Sequence, residues 1–376
     1  MAQAKASKPE RVGVLTGGGD CPGLNAVIRM VTKDLLFNGV EVFGIEDGFL
    51  GLIEDRVRPL DRDDASGILT RGGTILGSSN KANPSAYVTG LDDRGEPIVE
   101  NVNHTCFETL ERHALDALIV IGGDGTMSGA APFAAEGVNC IGVPKTIDND
   151  LHGTDLTFGF LSAAACATDA LDRVHTTAAS HHRAMVVEVM GRNAGWLALH
   201  AGVASGSDVI LIPEIPFDLD DVCDLIEARA RRGRRYTVVC CSEGARPKGG
   251  EQIVDRVIKS SPDPVRLGGV GKHVADGIED KTGIESRSVV LGHVQRGGSP
   301  VAADRVLATR FGHAASKLLL AGVRNRLVVM KEGKLDHVPL ESAANKQRLV
   351  EPATNDLVEA ARSVYTSFGD RKTEHY

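Results

Sequence analysis

Two short apolar runs, residues 117–121 and 140–143, constrain this chain more than any other feature. Each is stopped by glycine or proline, the pattern of strands buried on both faces of a parallel sheet. The first opens into Gly122-Gly123-Asp124-Gly125-Thr126 and a helix-like stretch, 127–136. The second opens into Pro144-Lys145-Thr146-Ile147-Asp148-Asn149-Asp150. If both strands sit in one parallel sheet, their loops leave from the same carboxyl edge, where open α/β sheets bind ligands.

That edge would gather the carboxylates of Asp124, Asp148 and Asp150. Glycines at 122, 123 and 125 let backbone approach phosphate oxygens, and the following helix N-terminus attracts negative charge. An aspartate within a phosphate loop repels its ligand unless a cation lies between, so Asp124 reads as a Mg²⁺ ligand. Asp148 is then placed to take the proton from a hydroxyl attacking the phosphate. A lone GGDG is as compatible with an acidic turn before an ordinary helix cap. Two acidic loops, each directly after a buried strand, are hard to explain by capping alone.

With 376 residues and 42% hydrophobic content, the chain can bury a large core, and its length favours two domains. The balance of 42 Lys+Arg against 50 Asp+Glu leaves −8, which argues against nucleic-acid binding by a basic face. An anionic substrate must be held by a local cluster of cations instead. Aromatics at 4% leave few stacking platforms for single strands. Seven cysteines without CxxC spacing read as reduced, buried thiols rather than a zinc site. No apolar run approaches membrane length and residues 1–10 lack a signal-peptide core, so the expectation is a soluble, cytoplasmic protein without membrane partners.

Taken in order, residues 1–9 are polar and expected to fray. A strand at 11–16 leads into Gly17-Gly18-Gly19-Asp20-Cys21-Pro22-Gly23-Leu24-Asn25 and a helix at 26–37. This spacing is neither GxGxxG nor GxxxxGK[ST], so as a bare pattern it is equally a tight turn or a phosphate cradle. Residues 87–101 read as an irregular surface insertion. A helix is expected at 157–177, with Phe160, Ala164, Ala167, Leu171 and Val174 on one face. His181 and His182 are adjacent, point apart and lack a third ligand, which weighs against a metal. A strand at 184–189 opens a second α/β region and ends in Met190-Gly191-Arg192-Asn193-Ala194-Gly195-Trp196. Arg192 there is placed to stabilise charge on a transferring phosphoryl group, and Trp196 to pack the junction. Strands at 208–213 and 236–242 flank a helix at 219–232, whose terminal arginines offset the helix dipole. A helix at 268–282, a last strand at 287–292, His293-Val294-Gln295-Arg296 and a helix at 302–321 follow. Residues 323–376 carry little pattern.

GGDGT followed by PKTIDND resembles the catalytic pair of the 6-phosphofructokinases, and the ordered series of motifs, from the loop at 17–25 through MGR to LGHVQRGGSP, extends the resemblance from about Arg11 to about Leu320. It implies an α/β fold of two doubly wound, Rossmann-like domains with mainly parallel sheets and the active site between them. The expected division is 10–150 plus roughly 285–320 for nucleotide and Mg²⁺, 151–284 for the sugar phosphate, and 321–376 as an extension packing on them. The implied reaction moves a phosphoryl group onto the 1-hydroxyl of fructose 6-phosphate. Gly19, Asn80, Lys81, Gly123, Asp124, Gly125 and Thr126 are then donor-site residues, with Asp124 on Mg²⁺ and Asp148 and Arg192 catalytic. Many relatives carry arginine where Asn80 stands, which leaves Lys81 as the candidate for that charge. Thr146, Ile147, Met190, Gly191, Glu243, His293, Val294, Gln295 and Arg296 are implied at the sugar phosphate. Arg183 and Arg287 match arginines that reach a neighbouring subunit's site, implying a homo-oligomer, dimer or tetramer.

The donor rests on two positions. Pyrophosphate-using relatives commonly carry aspartate where Gly125 stands, a carboxylate that would occupy and repel a nucleotide's α-phosphate. Gly125 therefore favours ATP. Lys145 resembles the pyrophosphate type, although a flexible lysine can swing aside, so ATP is expected and pyrophosphate is the alternative. A different GGDGT kinase would leave TIDND, MGR and HVQRGG without purpose. A non-catalytic regulatory subunit that binds sugar phosphate would be expected to lose Asp124 or Asp148, and both are present.

Overall fold

The computed structural model describes residues 8–258, 265–344 and 346–371; most of the stretch expected to fray, residues 1–7, lies outside them. The described residues fall into two compact units. One comprises those of Met1–Leu161 and Arg296–Arg348, the other those of Ser162–Ile258, Val265–Gln295 and Leu349–Tyr376.

The first unit is built on a sheet whose parallel core runs in the order Arg326–Lys331, Asn139–Thr146, Ala117–Gly122, Arg11–Thr16 and Glu41–Ile45. Val57–Leu60 and Lys334–Pro339 close its edges antiparallel. Every residue of Ala117–Gly122 is buried, as the unbroken apolar run requires of a central strand. Ile119 pairs with Val14 on one side and Ile141 on the other. Truncating such a residue to alanine costs about 2–5 kcal/mol. Leu118, Val120, Met127, Phe133 and Leu327 share one apolar cluster beneath the helix Asp124–Ala135. The chain runs outward from Arg11–Thr16 to Glu41–Ile45, then returns to the opposite side at Ala117–Gly122. The strand order therefore reverses between Arg11–Thr16 and Ala117–Gly122. A crevice opens at the carboxyl ends of two such strands because their connections depart in opposite directions.

The second unit repeats the device with four parallel strands, in the order Val209–Leu211, Thr237–Ser242, Ala184–Val189 and Ser286–Val290. Its reversal lies between Ala184–Val189 and Ser286–Val290.

Several expectations need correction. Ser286–Val290, assigned above to the first domain, pairs with Ala184–Val189 in the second unit. It is not the last strand either, because Arg326–Lys331 and Lys334–Pro339 complete the first sheet. Residues 321–376, expected as an extension packing on the domains, contribute these two strands to the first unit and the helix Asp356–Ser363 to the second. The stretch expected to be irregular forms a hairpin, Tyr87–Leu91 with Pro97–Glu100. On the helix Phe160–His181 it is Ala163, not Ala164, that is fully buried with Ala167 and Leu171. Arg229 does more than offset a dipole: it pairs with Asp208 at 2.6 Å. The cysteines meet expectation, being free and, apart from the half-buried Cys166, buried. Among the described residues, no helix is long and apolar enough to cross a membrane.

Candidate active site

In the first unit a cavity of about 390 Å³ opens at the reversal point, lined by Gly17–Gly19, Ser79, Asn80, Gly123–Thr126, Lys145 and Arg296. Its floor is set by close packing around Thr126. A Cβ on Gly122 would lie 2.3 Å from the Thr126 hydroxyl oxygen, and one on Gly17 only 2.8 Å away. Both glycines therefore let the two loops approach a common side chain. Gly125 differs, since a Cβ there meets nothing within 4 Å. The space that a longer donor needs at Gly125 is present.

The loop at residues 72–81 forms one wall. Gly18 N–H donates to the Ser79 carbonyl at 3.1 Å and the Ser78 hydroxyl to the Gly18 carbonyl at 2.5 Å. Asn80 reaches the cavity, whereas Lys81 is exposed and absent from its lining. The cavity's cations are instead Lys145 and Arg296. Lys145 is only 4% exposed because Asn139–Thr146 continues through it as a strand, and its Nζ donates to the Gly19 carbonyl. Burial lowers its pKa, with the nearby Arg296 charge acting in the same direction. A lysine so held does not swing aside freely, which corrects the expectation above. Arg296, implied at the sugar phosphate, hydrogen-bonds the Asp20 carbonyl at 3.0 Å and packs on Gly19.

Asp124 opens its helix, in the first turn. The loop at 146–150 presents the other carboxylates. Burial pushes the Asp150 pKa up to about 7, reinforced by the charges of Asp148 and then Asp124, so both lie within electrostatic reach of Asp150. Hard oxygen donors that repel one another suit a Mg²⁺ ion. Among the described residues no group of three or more His, Cys, Asp or Glu is arranged to hold a metal alone.

Asn149 went unnoticed in the sequence. It adopts φ 52°, in the left-handed region asparagine tolerates, and is buried. Its side-chain Oδ1 accepts from Thr157 N–H at 2.9 Å and its Nδ2 donates to the Asp155 carbonyl at 3.3 Å. The Thr146 hydroxyl accepts from Asp148 N–H at 3.1 Å and donates to Asp150 at 3.4 Å. Ile147 is 1% exposed, so its side chain anchors the loop and only its backbone is available to a ligand.

In the second unit, Met190–Gly195 leaves the strand Ala184–Val189 at the reversal point. Gly191 has φ 131° and its carbonyl accepts from the Ser242 hydroxyl. A Cβ on Gly244 would fall 1.8 Å from the Arg192 carbonyl oxygen, which also accepts from Gln252 at 2.7 Å. Glu214 receives Gly195 N–H at 3.0 Å and Val350 N–H at 2.9 Å, and burial raises its pKa. Ser242, Gln252, Glu214 and Gly244 thus fix the backbone beneath Arg192, and no short sequence signal announced them. Glu243 is half-buried directly after Thr237–Ser242. His293 and Val294 are exposed on a 3₁₀ turn, while Gln295 is 1% exposed with its amide on the Gly292 carbonyl, closing that turn. Trp196 is buried at the start of its helix. Arg183 and Arg287 both bond Glu285, at 2.7 and 2.6 Å, and the Arg183 hydrogen bond holds that carboxyl below its ordinary range.

A family model described as Phosphofructokinase matches residues 11–319. The chain is 47% identical over 363 residues to ATP-dependent 6-phosphofructokinase 2 of Clostridium perfringens, covering 96% of this chain and 99% of that one. It is 48% identical over 343 residues to the pyrophosphate--fructose 6-phosphate 1-phosphotransferase of Amycolatopsis methanolica, covering 91% and 96%. Pichia pastoris phosphofructokinase in the T-state superposes with a TM-score of 0.75 at 31% identity. That match covers 97% of this chain and 38% of the yeast chain, so this chain spans well under half of it. A match through most of its length, together with acidic and glycine loops meeting where the strand order reverses, places the chain in the phosphofructokinase family.

Proposed function

We propose that the chain is an ATP-dependent 6-phosphofructokinase, transferring the terminal phosphoryl group of ATP to the 1-hydroxyl of fructose 6-phosphate. The observation that carries the reading is the cavity at the first unit's reversal point. There glycine loops, two cations and Asp124 face one space, with Asp148 and Asp150 in electrostatic reach.

Gly19, Gly123, Gly125, Thr126 and Asn80 form the donor cradle, with Lys145 and Arg296 countering phosphate charge. Asp124 would hold Mg²⁺, which when bound neutralises charge on the donor phosphates. Asp148 accepts the proton of the sugar hydroxyl, and the pinned loop fixes where that carboxylate sits. Arg192 counters charge spreading over the phosphoryl group in transfer. Glu243, Met190, Gly191 and His293 are assigned to the sugar phosphate. Arg183 and Arg287 are assigned to the site of a neighbouring copy in a homo-oligomer. A cytoplasmic location suits this substrate pair.

Pyrophosphate is the second reading, favoured by the buried Lys145, whose Nζ is held on the Gly19 carbonyl beside the donor loop. The open space at Gly125 supports ATP, because a short donor has no need of it. Turnover of the purified chain with fructose 6-phosphate and Mg²⁺, given ATP or pyrophosphate at equal concentration, decides between them. Turnover with ATP is expected. Turnover with pyrophosphate and none with ATP assigns the second reading.

A further inference from the structure

Behind the 146–150 loop, two residues that lie beyond the stretch matched by the family model form a clamp. The chain at Gln347 makes an antiparallel bridge to Leu151. Arg348 N–H donates to the Asp150 carbonyl at 2.6 Å, and its guanidinium donates to the Asn149 carbonyl at 3.0 Å. The Gln347 amide donates to the Asp150 carboxylate at 3.2 Å. The backbone flanking Asp148 on its C-terminal side is therefore tied at two carbonyls and one carboxylate by consecutive residues.

We propose that Gln347 and Arg348 are positioning residues for catalysis, holding the loop so that the Asp148 carboxylate meets the reacting hydroxyl. The inference rests on the reading of Asp148 as the base. Three observations carry it. The Asn149 carbonyl belongs to a residue in the left-handed region, a conformation that persists where its surroundings over-determine it. Arg348 is half-buried, with its guanidinium on the Asn149 carbonyl, so its loss removes a donor from the loop backbone. Burial lowers the Arg348 pKa while the charges of Asp155 and Asp150 oppose that shift, as expected for a cation drawn against an acidic loop. Neither residue lines the donor cavity, so both act through the loop. A base displaced by a fraction of an ångström loses rate without losing affinity.

The test uses the full chain with Arg348→Ala, and Gln347→Ala as the variant least able to disturb folding, since that side chain is exposed. Each is assayed for kcat and for both KM values, and hydrogen exchange is followed across residues 146–151. The expected result is a fall in kcat of about tenfold for Arg348→Ala and roughly threefold for Gln347→Ala, with both KM values within about twofold. Exchange in the loop quickens in step, while the core strands stay protected. Unchanged kcat in both variants overturns the proposal. So does unchanged loop exchange, or a loss confined to Arg348→Ala that tracks global melting. Asp148→Ser is run alongside. If it keeps full activity, the assignment of the base fails whatever the clamp does; if it is inactive while both clamp variants behave as the parent, the clamp alone fails.

Discussion

Replacing Gly125 by aspartate tests the donor site most directly, because the structure separates its chemical effect from any structural one. A Cβ at Gly125 meets nothing within 4 Å, so the new side chain needs no neighbour to move. The position lies in the first turn of the helix Asp124–Ala135, where a carboxylate gains about 0.3–1 kcal/mol from the dipole. Repulsion from Asp124 opposes that gain, and the melting temperature is expected to stay near the parent's. The cavity is another matter. A carboxylate about 5 Å from one phosphate charge costs about 3 kcal/mol at an effective dielectric near 20. Solvent entering the cavity and dissolved salt reduce that to roughly half. About 1.5 kcal/mol remains, roughly a tenfold change in affinity. The assay is initial rate against ATP concentration at saturating fructose 6-phosphate and Mg²⁺, with Gly125→Asn as the uncharged control. The expected KM for ATP rises about tenfold in the aspartate variant and by less in the asparagine variant. An unchanged KM in Gly125→Asp would refute the reasoning. Equal losses in both variants would show that occupancy rather than charge excludes the nucleotide.

Four further outcomes follow from the same geometry. Asp148→Ser should lower kcat by about 10²-fold or more with fructose 6-phosphate binding little changed by calorimetry, and an active variant removes the base from that position. Asp124→Ala should flatten the Mg²⁺ dependence of the rate; a parental metal response rejects the ligand role. Gly122→Ala puts a methyl group 2.3 Å from the Thr126 hydroxyl oxygen, and such overpacking costs about 1–3 kcal/mol, readable as earlier thermal unfolding. For Glu214, burial raises the folded pKa above the ordinary 4.5, so its contribution to stability is present below that value and is lost as pH climbs through the folded pKa. Parent stability should accordingly decline relative to Glu214→Gln as pH increases from about 4.5, and a difference in melting temperature that is flat or of opposite slope contradicts the assignment.

What the sequence revealed and what it hid divide along physical lines. Ala117–Gly122 was legible because a strand buried on both faces must be apolar at every position. Asp124 stood out because a carboxylate among glycines has few structural uses, and the structure sets it in the first turn of its helix on the cavity wall. The edge strand Lys334–Pro339 was not, since an edge tolerates polar residues and its burial alternates weakly. Lys81 and Lys145 show the same limit within the site. Both stand in polar stretches, and only the extent of pairing decides which one is buried. Asn139–Thr146 stays in register with Ala117–Gly122 up to Gly122 opposite Pro144, and pairing with Phe158–Gly159 carries it on through Lys145. Lys81 follows a turn and points to solvent.

The same distinction explains why the residues that hold the loops escaped notice while those that the loops present did not. A side chain facing phosphate must be acidic, basic or absent, so its chemistry is written in its type. A side chain holding a backbone carbonyl needs only a donor at the right place, and Gln252, Ser242, Thr157 and Arg348 meet that need with four different side chains. Their partners lie 60, 51, 11 and 199 residues away in sequence. Such donors are defined by topology, and become visible only once the strand order has brought distant segments to one sheet edge. Substitutions among them should accordingly be tolerated wherever a donor of similar reach survives. Gln252→Glu at neutral pH is the informative exchange. It keeps the side chain's length but sets a carboxylate against the Arg192 carbonyl that the amide now serves at 2.7 Å. Losing that hydrogen bond costs about 1–3 kcal/mol, which at the upper end is roughly a hundredfold in rate if the cost falls on the transition state that Arg192 is proposed to stabilise. An undiminished kcat in that variant would mean that the Arg192 backbone is held without Gln252, and that the Ser242 and Gly244 contacts suffice.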